Sequence, residues 1–190
     1  MTIEEAFAQF SAKFPKAVKA ETQIKDYLTI RLSSPSELLP SAEFLKTELG
    51  FGYLEMVTGV DWLGPVSMDG YVRNPNPNVF LPEGATPEIV SAPTAGFNYR
   101  PTIDMLWAFG SISARLRLFL RLELPRAKAS VPSLAGLFKS ADWQEREVFD
   151  LMGVDFDGHP NLAKILTPDF LAGHPLRKDY VHIKDKYDED

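Results

Sequence analysis

The stretch RLRLFLRLEL, residues 115–124, decides the fold class. Its even positions are Leu116, Leu118, Leu120, Leu122 and Leu124; its odd positions are Arg115, Arg117, Phe119, Arg121 and Glu123. Successive side chains of an extended strand point to opposite faces, so this strict period of two sets a leucine face against a core and a charged face away from it. Pro125 ends the run, because it has no N–H to give to a ladder. The three arginines admit two readings, a surface that meets an acidic partner or a solvated or edge-protecting face.

On either side of this strand the pattern supplies its neighbours. Residues 103–111 and 53–62 read as strands, the latter with Leu54, Met56, Val57 and Val60. Residues 17–32 alternate, with Tyr27, Thr29 and Arg31 opposite Leu28, Ile30 and Leu32, and read as a strand or hairpin. Helical spacing appears at the start of the chain, where Thr2 and Glu5 stand at capping-box distance and Ile3, Ala6, Phe7 and Phe10 recur up to about Phe14. A second short helix is expected over 41–49, with Gly50 placed for a left-handed cap. The expected fold is therefore α+β. A mixed or antiparallel sheet with helices packed on one face fills residues 1–152, and an irregular C-terminal arm occupies 153–190. Between 63 and 102 fall seven of the chain's 15 prolines, with Gly64, Gly70, Gly84 and Gly96. That insertion is expected to lack regular structure and to be either a wrap around a neighbouring surface or a mobile loop.

Composition excludes several functions. Apolar residues at 45% and charged residues at 24% suit one globular domain. The net charge of −6, with basic residues scattered, leaves no footprint for nucleic acid. No run approaches the roughly 20 apolar residues of a membrane span, and MTIEEAFAQF is an acidic start rather than a basic leader, so any membrane association is expected through a larger assembly only. There is no cysteine. Disulfides are impossible, and the usual thiolate ligands of iron–sulfur clusters and structural zinc are missing, so any redox centre is expected in another chain.

Downstream, Ser140 is placed to cap a helix over 141–152, with Gly153 as its stop. At 100° per residue, Ala141, Val148, Phe149, Leu151 and Met152 form an apolar arc, while Trp143, Arg146, Glu147 and Asp150 share the other side. Glu145 falls inside the arc. Its carboxylate must be protonated or paired, either internally with an arginine of the 115–121 strand or across a boundary between subunits. Trp143, on the polar side, is a candidate interface anchor. Arg146 and Asp150, four apart, are placed for a surface pair of about 0.3 to 0.5 kcal/mol. Beyond the helix, Gly158-His159-Pro160 and Gly173-His174-Pro175 mark two turns of an extended arm. Phe156, Leu162, Ile165, Leu166, Phe170 and Leu176 give that arm the means to dock, on partner subunits or on its own domain.

Independent catalysis is not expected. There is no Gly-x-Ser-x-Gly elbow and no phosphate-binding glycine fingerprint. A metal hydrolase built from His159, His174, His182, Glu145, Glu147 and Asp150 is the remaining enzymatic reading, and the absence of any i, i+4 histidine pair speaks against it. No catalytic, cofactor-binding or metal-binding residue is nominated.

The string ADWQEREVFDLMGVDFDGHPNLAKILTPDFLAGHPLRKDY, residues 141–180, resembles the diagnostic stretch of the C subunits of complex I type NADH:quinone oxidoreductases. Glu145, Arg146, Glu147, Asp150, Leu151, Met152 and His159 match that family's pattern in order and spacing, and Ile165 and Leu166 fit it. The departure is Ala163, where the family places a basic residue or proline; Lys164 beside it keeps one charge. The resemblance implies a cofactor-free member of the quinone module, supporting electron transfer from NADH through FMN and iron–sulfur clusters held by partners to a quinone, coupled to proton translocation. It also implies contact with the large quinone-site subunit and with cluster-bearing subunits. The location implied is the cytoplasmic face of a bacterial plasma membrane, or the matrix side in a mitochondrion. Related assemblies, a membrane-bound hydrogenase or a ferredoxin:quinone reductase, use equivalent subunits. On this reading Trp143, Glu145, Arg146, Glu147, Asp150, His159, His174, Arg177 and Lys178 form the contact zone between subunits.

Overall fold

The computed structural model describes residues 2–20, 27–63 and 100–181. The insertion expected at 63–102 lies outside the described residues except at its two ends, and so does His182. In chain order the elements are α1 (Ile3–Lys13), β1 (Val18–Lys19), β2 (Leu28–Arg31), α2 (Leu38–Thr47), β3 (Tyr53–Asp61), β4 (Thr102–Ser111), β5 (Leu116–Pro125), β6 (Ser130–Pro132), α3 (Ala141–Met152) and β7 (Asp155–Asp157).

Strands pair in the order β1-β2-β5-β4-β3, with β2 and β5 parallel and the other neighbours antiparallel, so the sheet is mixed. The leucine face of β5 fixes its register. Leu118 lies between Leu28 and Phe109, Leu120 between Ile30 and Trp107, Leu122 beside Met105 and Leu124 beside Ile103. These strand residues share one buried cluster with Ala6 and Phe10 of α1, Leu38, Ala42 and Leu45 of α2, and Ala141, Val148 and Met152 of α3. The helices thus cover one face, as the alternation predicts. A slip of one residue would expose four buried leucines at about 1.5 to 3 kcal/mol each, far more than any turn preference could offset.

Of the roles expected for the arginine face, edge protection is the one it does not fill; Arg115 and Arg117 are solvent-exposed. β5 lies inside the sheet, so it guards no edge. Arg117 pairs with Glu55 at 2.5 Å, and Arg121 pairs with the buried Asp104, so these two are satisfied within the chain.

Local signals explain most boundaries. The Thr2–Glu5 capping box forms in both directions, at 2.8 and 3.2 Å. Helix α2 begins three residues before the expected Ser41, because Pro40 sits in its first turn, where a missing N–H has no intrahelical partner to lose. Gly50 adopts φ +70°, and the Phe51 N–H returns to Leu45 O at 2.8 Å, closing the helix as anticipated. Residues 153–157 are not arm. Asp155–Asp157 pairs in parallel with β6, and Val154 and Phe156 are buried in the core. The irregular segment starts at Gly158.

Candidate functional site

Helix α3 packs against β3, the last strand at this end of the sheet among the described residues, and meets two groups on its outer edge. Ser140 does not cap α3 with its side chain; its hydroxyl donates to Leu54 O at 2.8 Å. One turn on, the Val57 N–H donates to Gln144 Oε1 at 2.5 Å. Two edge groups that would otherwise invite another strand are thereby satisfied. Gly59 permits the approach, since a Cβ there would stand 2.8 Å from Met152 Sδ. Gly153 then stops the helix at φ +67°.

Glu145 is fully buried, as its place in the apolar arc requires, but no arginine of β5 reaches it. It accepts from the Ser133 hydroxyl at 2.5 Å and the Leu134 N–H at 2.7 Å, pinning the segment between β6 and α3. Burial pushes its carboxyl above the usual range, outweighing the two hydrogen bonds that favour the charged form. His159 Nε2 lies 3.9 Å from Glu145 Oε2 and 3.5 Å from Asp142 Oδ1. The Asn161 N–H donates to His159 Nδ1 at 3.0 Å, so the ring proton sits on Nε2 and is given to Asp142 O at 3.1 Å. The first Gly-His-Pro turn is thereby tied to α3.

Asp150 and Arg146 do not pair with each other. Asp150, expected on the polar side, is completely buried because the arm lies over it. Its Oδ2 accepts from the Ile165, Leu166 and Thr167 N–H groups at 3.0, 2.8 and 2.8 Å, and Oδ1 takes the Thr167 hydroxyl. Desolvation opposes the charge, yet these four donors prevail and bring the carboxyl down to about 2. Arg146 donates to Ala163 O at 3.0 Å and Lys164 O at 3.3 Å, and its guanidinium lies 5.4 Å from the centre of the Trp143 ring. The contact at Ala163 is made through its carbonyl, so the departure from the family pattern there costs no hydrogen bond.

The second turn closes on the end of α3. His174 Nδ1 donates to Asp150 O at 2.9 Å, and the ring packs under Gly153 so closely that a Cβ there would run into it. The Leu176 N–H donates to Leu151 O at 2.9 Å, while Arg177 donates to Met152 O at 2.6 Å and Gly153 O at 3.0 Å. These are the orphan carbonyls of a helix C-terminus, met by a cation where the helix dipole favours one. The Lys178 N–H donates to Asp61 Oδ2 at 2.9 Å, and its side chain is exposed.

Sequence reasoning missed the last clasp. Buried Asp61 accepts from Arg126 Nε at 3.0 Å, and Arg126 also pairs with Asp179, joining the end of β3, the segment after β5 and the arm. Hydrogen bonding to Arg126 holds the Asp179 carboxyl below its usual range. Nothing in spacing could reveal a triad drawn from positions 61, 126 and 179.

Six of the nine expected contact residues, Glu145, Arg146, Asp150, His159, His174 and Arg177, therefore make contacts inside the chain. Trp143 (65% exposed), Glu147 and the Lys178 side chain face outward. The arm adds Leu166, Phe170 and Leu176, each more than half exposed, while Leu162 and Ile165 are half-buried. Among the described residues no three His, Cys, Asp or Glu side chains gather to hold a metal ion, and no helix is long and apolar enough to cross a membrane.

Comparison with known proteins agrees with this geometry. The family model described as respiratory-chain NADH dehydrogenase, 30 Kd subunit, matches residues 32–186. The NADH-quinone oxidoreductase C subunit of Roseiflexus sp. (strain RS-1) is 31% identical over 170 residues, covering 88% of this chain and 78% of the relative. NADH-quinone oxidoreductase subunit 5 of Thermus thermophilus is 38% identical over 132 residues, 70% of this chain and 52% of that protein, so the match spans about half the relative's length. A chain from the membrane-bound sulfane sulfur reductase, an archaeal respiratory membrane complex, shares the fold with a TM-score of 0.59 at 20% identity, over 98% of this chain and 95% of that one. With its helix, arm and most of its sheet inside the matched span, the chain belongs to the respiratory-chain NADH dehydrogenase 30 Kd subunit family, a family of NADH-quinone oxidoreductase C subunits.

Proposed function

We propose that this chain is a structural subunit of the peripheral arm of a complex I type NADH:quinone oxidoreductase, binding no flavin, cluster or metal itself. FMN and iron–sulfur clusters belong to its partners on this reading. Its neighbours are the large quinone-site subunit and cluster-bearing subunits, and its work is to hold them in place while electrons pass from NADH to quinone and protons are moved. It meets the membrane through the assembled complex, on the cytoplasmic face in a bacterium or the matrix side in a mitochondrion. The observation that carries the reading is the division of the 140–181 segment into an inward set of polar contacts and an outward set of apolar side chains. Polar anchors immobilise the arm, leaving Trp143, Leu166 and Leu176 presented as an ordered, desolvatable surface.

The test compares the outward residues in the free chain and in membranes. Trp143→Ala, Leu166→Asp and Leu176→Asp are expected to leave the stability of the isolated chain within about 0.5 kcal/mol of wild type. The same substitutions should lower the assembled complex on native gels and NADH:quinone reductase activity in parallel. Full assembly and activity in all three would refute the proposal. A second reading is the equivalent subunit of a membrane-bound hydrogenase or ferredoxin-fed reductase, since the fold is shared with a chain of another respiratory membrane complex. Membranes whose variant-sensitive quinone reduction runs on hydrogen or reduced ferredoxin, and not on NADH, would select it.

A further inference from the structure

On the sheet face away from the helices, Arg31 of β2 stands in register beside Arg121 of β5, and Val18 of β1 stands in register on its other side. Like charges directly opposite in a sheet are destabilising unless something offsets them. Arg121 is offset by Asp104. Arg31 has no ion-pair partner among the described residues, and neither does Lys16, which lines the same cavity. Of the acids on this face, Glu123 is held by Arg100 at 3.0 Å and Asp104 by Arg121. Two cavities of about 480 and 350 Å³ open here, and Val18, Arg31 and Glu123 line both, so they form two ends of one groove. In a chain of net charge −6 this is a local excess of positive charge. Among the described residues β1 is the last strand at that end of the sheet, and Val18 on the groove's lip is 43% exposed.

We infer that this groove receives an extended acidic segment of a partner subunit, lying along β1 with its carboxylates on Arg31 and Lys16. The inference rests on the assembled-subunit reading above and adds to it a second contact, on different elements from α3 and the arm. An elongated groove beside an end strand suits a peptide, whose backbone can use the strand edge while its side chains meet the cations.

A photo-crosslinking residue placed at Val18 in the full chain, assembled in native membranes, tests this. The expected product joins position 18 to a partner peptide rich in Asp and Glu. Its yield should fall roughly three- to ten-fold in Arg31→Glu, less in Arg31→Gln, and fall again in raised salt. A crosslink to lipid, to this chain itself, to a segment without carboxylates, or to nothing would overturn the inference, as would a yield indifferent to Arg31→Glu. Native gels run on the same membranes report assembly separately. An intact complex without the acidic crosslink thus defeats the groove alone, whereas a chain that enters no complex defeats the subunit reading.

Discussion

Substituting Asp150 by Asn should release the arm and leave the domain folded. The carboxyl falls from 3.8 to about 2 on folding, which corresponds to about 2 kcal/mol of stabilisation at neutral pH. The side chain is fully buried, but its cover is a single layer of arm, so solvent screening trims the figure towards about 1 to 2 kcal/mol. Asn keeps one oxygen and sets an NH2 group against donors that need an acceptor, which returns the expected loss to about 2 kcal/mol. The energy is local, because every donor to the Asp150 carboxylate comes from Ile165, Leu166 or Thr167. Amide hydrogen exchange reads it directly: those three N–H groups should exchange about 30-fold faster in the variant, with β4 and β5 unchanged. The sign of the pH dependence follows from a depressed carboxyl. The stabilisation is present in full above pH 3.8 and is lost as pH falls from there through about 2 in wild type, whereas the variant shows no such step. Wild-type exchange rates at these three amides in Asp150→Asn would refute the reasoning, and so would loss of protection throughout the sheet.

Glu145 should behave in the opposite sense. Its carboxyl is raised by burial, so it contributes most below the unfolded value of 4.5 and that contribution is lost as pH rises through the folded value. Glu145→Gln is expected to remove this downward slope in chemical denaturation between acid and neutral pH; an unchanged slope would mean that Glu145 is not its source. Gly153→Ala combines a left-handed backbone with a collision against the His174 ring, and should cost about 2 to 3 kcal/mol. Removing the ring with His174→Ala should relieve the collision and leave about 1 kcal/mol for the backbone, so a double-mutant cycle that came out additive would refute the contact.

Period and punctuation carry the fold. The alternation of 115–124, the capping box at Thr2 and the glycine stops at Gly50 and Gly153 are local signals, and each appears where the residues place it. Residues 154–157 are not legible in this way, because a three-residue strand lying beside β6 is made by its partner and has no period of its own. At the site, Glu145 announces itself as a charge on an apolar arc, yet its partners are a hydroxyl and a backbone N–H that no pattern of charges marks. Asp150 misleads for the converse reason. A helical wheel ranks faces by polarity, and a face covered by backbone N–H groups needs a polar residue while being buried. The i, i+4 spacing of Arg146 and Asp150 suggests a pair worth a few tenths of a kcal/mol. The arm offers each of them backbone groups instead, carbonyls to the cation and N–H groups to the anion, and those are the stronger claims in a partly desolvated site.

A segment such as 158–181, with no regular structure of its own, cannot satisfy its backbone by itself, and fixing each residue in one conformation costs about 1 to 2 kcal/mol. If that ordering occurred only on docking, it would be subtracted from the affinity for a partner. Helix α3 and its surroundings meet that cost in advance by matching the arm group for group: Asp150 to a run of N–H groups, Arg146 to two carbonyls, and Arg177 from the arm back to the helix end. On the proposed reading, the inward-facing residues Glu145, Arg146, Asp150, His159, His174 and Arg177 therefore serve assembly by holding the arm in place. On that same reading their contribution is preorganisation, offered to a partner through the apolar side chains of Leu166 and Leu176, both more than half exposed.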